Sequence, residues 1–335
     1  MSIQLVEQPC PLCDSEELRP VCQIEDPTYD VDGVYQVVCC KRCSHLFISP
    51  RPADESLMEC YPQDYAPYDD SLVPAEPEEQ REESEPRSPS LPRRILRSIP
   101  GLRSFLNWLG QENATWLEGP PEPGESRMLE IGCAHGGYLC RAQDLGWIVD
   151  GIEPNALTAE QARGKGLEVQ VGFLDQAELE PSSRDCVAMW MVLEHVPNPR
   201  QVVARVADIL RSGGTFALSV PNAATWERQL FGRFWLGYDA PRHLQVFSAK
   251  RLKQLLESEG FSDVQVVHQS NTRYWWGSIA AWGLARRMNS AWPKRWMEYF
   301  KSEPPRSWNW LLLIPGKLNS ILRCSGRITV TARRK

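Results

Sequence analysis

From Arg127 to His268 short apolar runs alternate with segments of helical character, and this alternation restricts the fold more than any other feature of the chain. "RMLEIGC", "WIVDGIEPN", "EVQVG", "DCVAMWM", "GTFALSVP" and "SDVQVVHQ" read as strands. "GGYLCRAQDLG", "ALTAEQARGKG", "PRQVVARVADILRSG" and "SAKRLKQLLESEG" read as helices among them. Strands joined through helices return in parallel, so the sequence predicts an α/β fold with a doubly wound, mostly parallel sheet. "GRITVTARR", close to Lys335, supplies a seventh strand. If it pairs with the sixth, residues 271–324 are an insertion between two neighbouring strands.

In such a fold a ligand meets the carboxyl ends of the strands. The turn in "MLEIGCAHGGYL", Met128 to Leu139, lies at one such end. Its order Gly132, Cys133, Ala134, His135, Gly136 puts alanine where a dinucleotide-binding GxGxxG loop has its second glycine, and no Walker lysine follows. The surroundings say more than the turn. Glu130, two residues before it, can accept from the amino-acid end of a ligand or order its water. Glu153 in "GIEPN" closes the second strand, where a carboxylate can hold both hydroxyls of a ribose. Phe173 and Leu174 in "GFLD" follow the third strand and can sandwich a purine.

Taken in this order, these residues resemble those of class I S-adenosylmethionine-dependent methyltransferases. The resemblance covers roughly Arg127 to His268 and the final strand. "LEIGCAHGGYL", "GIEPN", "LEHVPNP", "LRSGGTFALSVPN" and "YDAPRHLQVFS" fall where that family carries related segments. It implies a seven-stranded Rossmann-like sheet and S-adenosyl-L-methionine as cofactor, held by Glu130, Gly132, Cys133, Gly136, Glu153, Phe173, Leu174 and Met191. It also implies methyl transfer to a small-molecule, sugar or glycan acceptor, with oxygen favoured over carbon or nitrogen. An oxygen acceptor usually needs a base for its proton. The candidates are His195 in "LEHVPNP" and His243 in "YDAPRHLQVF", the latter with Asp239 and Arg242 beside it. Each also has a bland reading, as a histidine that only anchors its loop. Trp226, Phe231, Phe234, Trp235 and Tyr238 make the loop before His243 aromatic enough for a lid or a sugar platform.

The first unit, residues 1–65, carries "CPLC" (Cys10, Cys13) and "CKRC" (Cys40, Cys43) around the strand-like "GVYQVVCC". Two CxxC knuckles can close a tetrahedral thiolate site for Zn2+. Four thiolates leave no open position, so the ion is expected to be structural. Cys39 and His45 are near enough to be rival ligands. With "LFISPRP" and "YPQDYAPY" after them, the cysteine pairs look like the zinc-binding extension of a bacterial subgroup of these methyltransferases. Residues 66–110 follow, opening with a Pro-, Glu- and Ser-rich linker that is expected to be disordered. A basic amphipathic helix then runs from Ile95 to Leu109, and residues 111–335 form the main domain.

Charge is unevenly spread. The net −6 divides into +10 from Arg286 onward and −16 before it. An acidic body argues against a broad nucleic-acid surface. The insertion holds seven of the thirteen tryptophans among lysines and arginines. It reads as a helical cap on the sheet edge or, alternatively, as a peripheral membrane contact across 275–322 that would suit a lipid-linked acceptor. With no signal peptide, no apolar run long enough to span a bilayer and cysteines in metal-type pairs, the chain is expected to be cytoplasmic, with membrane contact only at the inner face. The rival functions are a non-catalytic methyltransferase-like scaffold and an RNA methyltransferase gripping its substrate with the ribbon.

Overall fold

A computed structural model describes residues 3–62, 65, 116–270, 273–286, 291–301 and 306–335. The cysteine-bearing segment folds into β1 (Leu5–Val6), β2 (Leu18–Ile24), β3 (Tyr35–Cys40), β4 (Leu46–Ile48) and β5 (Arg51–Pro52). The larger sheet is built from β6 (Arg127–Ile131), β7 (Ile148–Glu153), β8 (Glu168–Val171), β9 (Arg184–Trp190), β10 (Leu210–Pro221), β12 (Phe261–His268) and β13 (Arg327–Arg334). The short β11 (Gln245–Val246) belongs elsewhere. Across the sheet the order is β12-β13-β10-β9-β6-β7-β8. β6 through β10 pair in parallel, while β13 runs antiparallel to both β10 and β12. "GRITVTARR" therefore pairs with the sixth strand, as expected, and also with the fifth.

Helices cover both faces. α1 (Gly137–Asp144) and α2 (Ala156–Gly164) lie on one side, where Met128, Cys186 and Ala188 meet Leu139, Ala142, Ala159 and Ala162. α3 (Pro199–Ile209) and α5 (Ala249–Ser258) cover the other, where Leu129, Ile131, Val187 and Met189 meet Val203, Val206, Leu252 and Leu256. Successive strand residues point to opposite faces, so one continuous apolar strand feeds both cores. The loops supply the caps. Asn155 accepts from the N–H groups of Leu157 and Thr158 at 2.9 and 3.2 Å, and Ser248 accepts from Arg251 N–H.

The N-terminal sheet is not self-contained. Its order is β11-β4-β3-β2, and β11 comes from the far end of the larger domain, pairing Gln245 with Phe47 and Val246 with Leu46. Beside it, His45 Nε2 and Gln245 Oε1 lie 2.9 Å apart. Arg242, wholly buried, donates to Asp26 at 2.7 and 2.9 Å and to Asp239 at 2.7 and 3.1 Å. Two segments that the sequence reads as separate, 1–65 and 111–335, thus share a sheet and an ion network. The expected linker and basic helix of 66–110 lie outside the described residues.

The insertion forms α6 (Arg273–Ala285), α7 (Trp292–Lys301) and α8 (Arg306–Ile321), with α4 (Trp226–Phe231) leading into the aromatic loop before it. Trp276, Trp292 and Trp296 meet edge to face, with ring centroids 4.9–5.1 Å apart. Ala280, Ala281 and Met297 pack against Leu236. This part of the insertion is a packed helical cap. The side chains of Trp308 and Trp310 lie outside the described residues. Further along α8, Ile314, Leu318 and Ile321 are exposed by 51–59%, and Leu322 just beyond by 60%. Among the described residues no helix is long and apolar enough to cross a membrane.

Candidate active site

Strand order reverses around β6: β7 and β8 build outward on one side, and β9 and β10 on the other. At such a switch point the loops diverge and leave a crevice. A cavity of about 1020 Å³ opens there. Gly132, with φ +72°, and Gly136, with φ +79°, shape the turn at the end of β6. A Cβ on Gly132 would stand 2.5 Å from Val192 Cγ2, and one on Gly136 would stand 2.3 Å from Leu167 Cδ1. Both glycines are fixed by backbone conformation and by close approach.

Glu153 fastens this turn. Its carboxylate accepts from Ala134 N–H and Asn155 N–H, each at 2.9 Å. Burial raises its pKa, and those two N–H groups oppose the rise. Each oxygen keeps a second lone pair, and Glu153 lines the cavity. On the neighbouring strand end, Phe173 and Leu174 line it too, as do Gly132 and Met191. A buried carboxylate between a glycine turn and an apolar wall fits a ligand with vicinal hydroxyls and a flat ring, and adenosine has both.

Three of the sequence candidates sit behind the wall. Glu130, Cys133 and Gly136 do not line the cavity. Glu130 lies on the Met128 face of β6, and burial pushes its carboxyl well above the usual carboxylate range against the pull of Arg141. One of its oxygens has no hydrogen-bond partner. Cys133 is buried with Leu139 against Gly151, and Gly136 serves the packing of Ala162 and Leu167. Ala134, read from the sequence only as a departure from a glycine loop, lines the cavity, as do Val192 and Asn198, which the sequence reading passed over. Only the general rule that loops after parallel strands meet ligands could have found them.

Opposite this half stand both histidines. His195 Nδ1 lies 3.0 Å from Arg242 O and 2.9 Å from Tyr61 Oη, and His243 Nδ1 lies 3.0 Å from Gly237 O. A carbonyl only accepts, which puts the His243 proton on Nδ1; on His195 the same assignment satisfies Arg242 O, with the Tyr61 hydroxyl oxygen accepting as well, and Nε2 then holds the lone pair in each ring. The two rings are 4.7 Å apart at 76°. Burial, reinforced by His243, lowers the His195 pKa to about 3. Burial also lowers His243, although Asp239 pulls it upward. Both are therefore neutral at physiological pH. Tyr29, Tyr61 and Tyr65 reach the same cavity from the N-terminal unit, and Arg273, Lys301 and Arg327 from the C-terminal third. Phe234, Trp235 and Tyr238 stay outside its wall, and Trp235 and Tyr238 are buried against the ribbon with Ile24 and Tyr35.

The four predicted zinc ligands also come together. Cys10, Cys13, Cys40 and Cys43 present sulfurs all within 4.8 Å of one another. Cys10 Sγ and Cys43 Sγ are 3.5 Å apart, and Cys13 Sγ and Cys40 Sγ 3.6 Å. Thiolates about 2.3 Å from one zinc ion would lie roughly 3.8 Å apart, so the set fits that ion. Each knuckle closes alike: Asp14 N–H returns to Cys10 O, Ser44 N–H returns to Cys40 O, and both Asp14 and Ser44 have positive φ. The rivals are placed elsewhere. Cys39 is packed with Tyr35 and Ala240, and His45 turns to Gln245.

Comparison with known proteins agrees with this geometry. Residues 103–266 match the family model described as a methyltransferase domain. A protein of Mycolicibacterium smegmatis named "Probable S-adenosylmethionine-dependent methyltransferase" is 28% identical over 177 residues, 51% of this chain and 66% of that one. A ubiquinone biosynthesis O-methyltransferase of Saccharophagus degradans is 33% identical over 125 residues, 35% of this chain and 52% of that one. The chain thus spans less than two thirds of either relative. A solved S-adenosylmethionine dependent methyltransferase from Mesorhizobium loti superposes with a TM-score of 0.41 at 18% identity, covering 71% of this chain and 100% of that one.

Proposed function

Since the chain belongs to the class I S-adenosylmethionine-dependent methyltransferases through residues 103–266, we propose that it transfers a methyl group to oxygen on a small-molecule or glycan-like acceptor. The observation that carries this reading is Glu153, a buried carboxylate that closes the glycine turn and faces a cavity at the switch point of the sheet. S-adenosylmethionine, when bound, supplies an electrophilic methyl group. Gly132, Glu153, Phe173, Leu174 and Met191 hold the donor, with Glu130 and Gly136 supporting them from behind the wall. The remaining residues align the acceptor and keep water out. A neutral Nε2, on His195 or His243, takes the acceptor's proton. The name of the Saccharophagus relative supports oxygen as the acceptor atom. Arg273, Lys301 and Arg327 on the acceptor side suit an acceptor that carries negative charge. Zinc on the four cysteines holds the two knuckles closed and has no part in the chemistry.

Calorimetric titration of the full chain with S-adenosylhomocysteine tests the reading. Binding by the wild type, weakened roughly 10- to 100-fold in Glu153→Ala, is the expected result for loss of one buried charged acceptor. No binding by folded wild-type protein would favour the scaffold. A second reading concerns where the enzyme works. The exposed stripe Ile314, Leu318, Ile321 and Leu322, in a chain whose charge from Arg286 onward is +10, favours contact with an anionic membrane surface and so a lipid-linked acceptor.

A further inference from the structure

At the acceptor half of the cavity, two lining histidines and a buried glutamate beside them form a second group of metal-ligating side chains. One ligand atom from each of Glu194, His195 and His243 lies within 4.8 Å of the others. His243 Nε2 is 3.9 Å from Glu194 Oε1 and 3.8 Å from Asp239 Oδ2. From these residues the geometry points to a divalent transition-metal site with Glu194, His195 and His243 as ligands and one coordination position open to the acceptor.

Three observations carry this. Glu194 is fully buried, and neither of its carboxyl oxygens has a hydrogen-bond partner. An unpartnered carboxyl in that setting is strongly disfavoured unless something compensates it. Secondly, both imidazoles are fixed by Nδ1–H donated to a backbone carbonyl, Arg242 O and Gly237 O, which leaves Nε2 free to ligate. That is how proteins orient histidines at metal centres. Thirdly, His195 and His243 line the cavity, so an ion held by three protein atoms would face the substrate. Ligands about 2.1 Å from one ion lie roughly 3.0–3.4 Å apart, so atoms no more than 4.8 Å apart close on an ion through shifts of less than about 1 Å each. The nearby cations do not displace the ion: Arg242 is occupied by Asp26 and Asp239, and Arg327, though close enough to attract Glu194, forms no hydrogen bond to it. Two histidines and one carboxylate suit Zn2+, Fe2+ or Co2+.

The use of this ion rests on the methyltransferase reading, whereas the site itself does not. Bound there, an acceptor hydroxyl would lose its proton to water more readily, because the cation stabilises the alkoxide. The imidazoles would then act through the ion and not as the base.

Cobalt substitution of the full chain provides the test. Wild-type protein is expected to bind two Co2+ per chain, one with a thiolate charge-transfer band and one without. Glu194→Gln and His195→Ala are each expected to bind one, keeping the thiolate band, and Cys10→Ser the other. One cobalt in the wild type, or two in both cavity variants, would overturn the proposal. Should either variant lose the thiolate band, and hence its fold, X-ray absorption on cobalt-loaded wild type decides instead. Scattering from nitrogen and oxygen beside sulfur supports the second site, and sulfur alone overturns it. S-adenosylhomocysteine titration of the same samples keeps the two readings apart. Donor binding with a single cobalt sinks the metal site only, and two cobalts without donor binding sink the methyltransferase reading only.

Discussion

At the residue scale, the glycine turn shows why two residues of one motif have different duties. Gly132 borders the cavity, whereas Gly136 is pinned by Leu167 behind it. Gly136→Ala is expected to destabilise the protein by about 1–3 kcal/mol through overpacking and a disfavoured φ. Adding Leu167→Ala relieves only the clash, so in urea titrations the double variant should be more stable than the sum of the singles. Glu227 makes a pH prediction. It is buried at the start of α4, and burial raises its pKa to about 7 against the indoles of Trp235 and Trp275. In the unfolded chain it titrates near 4.3. The folded state keeps a proton that the unfolded state loses, so its contribution is full below that value and disappears as pH rises through 7. Thermal melts should therefore show Glu227→Gln gaining on the wild type between pH 5 and pH 8; parallel pH curves would refute it. The sequence made Glu153 legible, because a strand-end carboxylate has a position that can be counted. Glu194 was not, since its burial depends on β11 and on loops distant in sequence.

At the element scale, the strands and helices of the large sheet were readable because each is amphipathic or continuously apolar with a turn at its end. β11 was not: two residues have no period, and their partner β4 lies about 200 positions earlier. That pairing has a dynamic consequence. With zinc on the four cysteines as proposed, chelating it should loosen the knuckles before β2 and between β3 and β4, and the disturbance should reach β11. Amide exchange at Gln245 and Val246 is expected to rise at least tenfold in chelator, while amides in β6 and β9 keep their protection. Unchanged exchange at residues 245–246 would show that the ribbon and the site loop are energetically separate.

For the whole molecule, the acidic body and basic C-terminal third predict how it would meet a membrane. Flotation with vesicles rich in anionic lipid should recover the protein at low salt and lose most of it at 0.5 M salt, because screening shortens the reach of charge to a few ångströms. Neutral vesicles should recover little. Recovery that ignores both salt and lipid charge, or no recovery at all, would rule out this electrostatic docking. The charge asymmetry could be counted from the sequence, but which apolar residues face outward could not. Packed tryptophans such as Trp276 and exposed residues such as Leu318 occupy the same helical insertion, and only the fold separates them.

The shared sheet also bears on how such a chain could be rearranged by recombination. Residues 3–62 resemble a detachable module, yet they supply Tyr29 and Tyr61 to the cavity, and Asp26 to the arginine that steadies His195 through its carbonyl. Grafting this module from another chain would transplant one wall of the cavity along with a metal knuckle. A graft that preserved every cysteine but altered Asp26 would leave Arg242 buried beside one carboxylate where two now hold it.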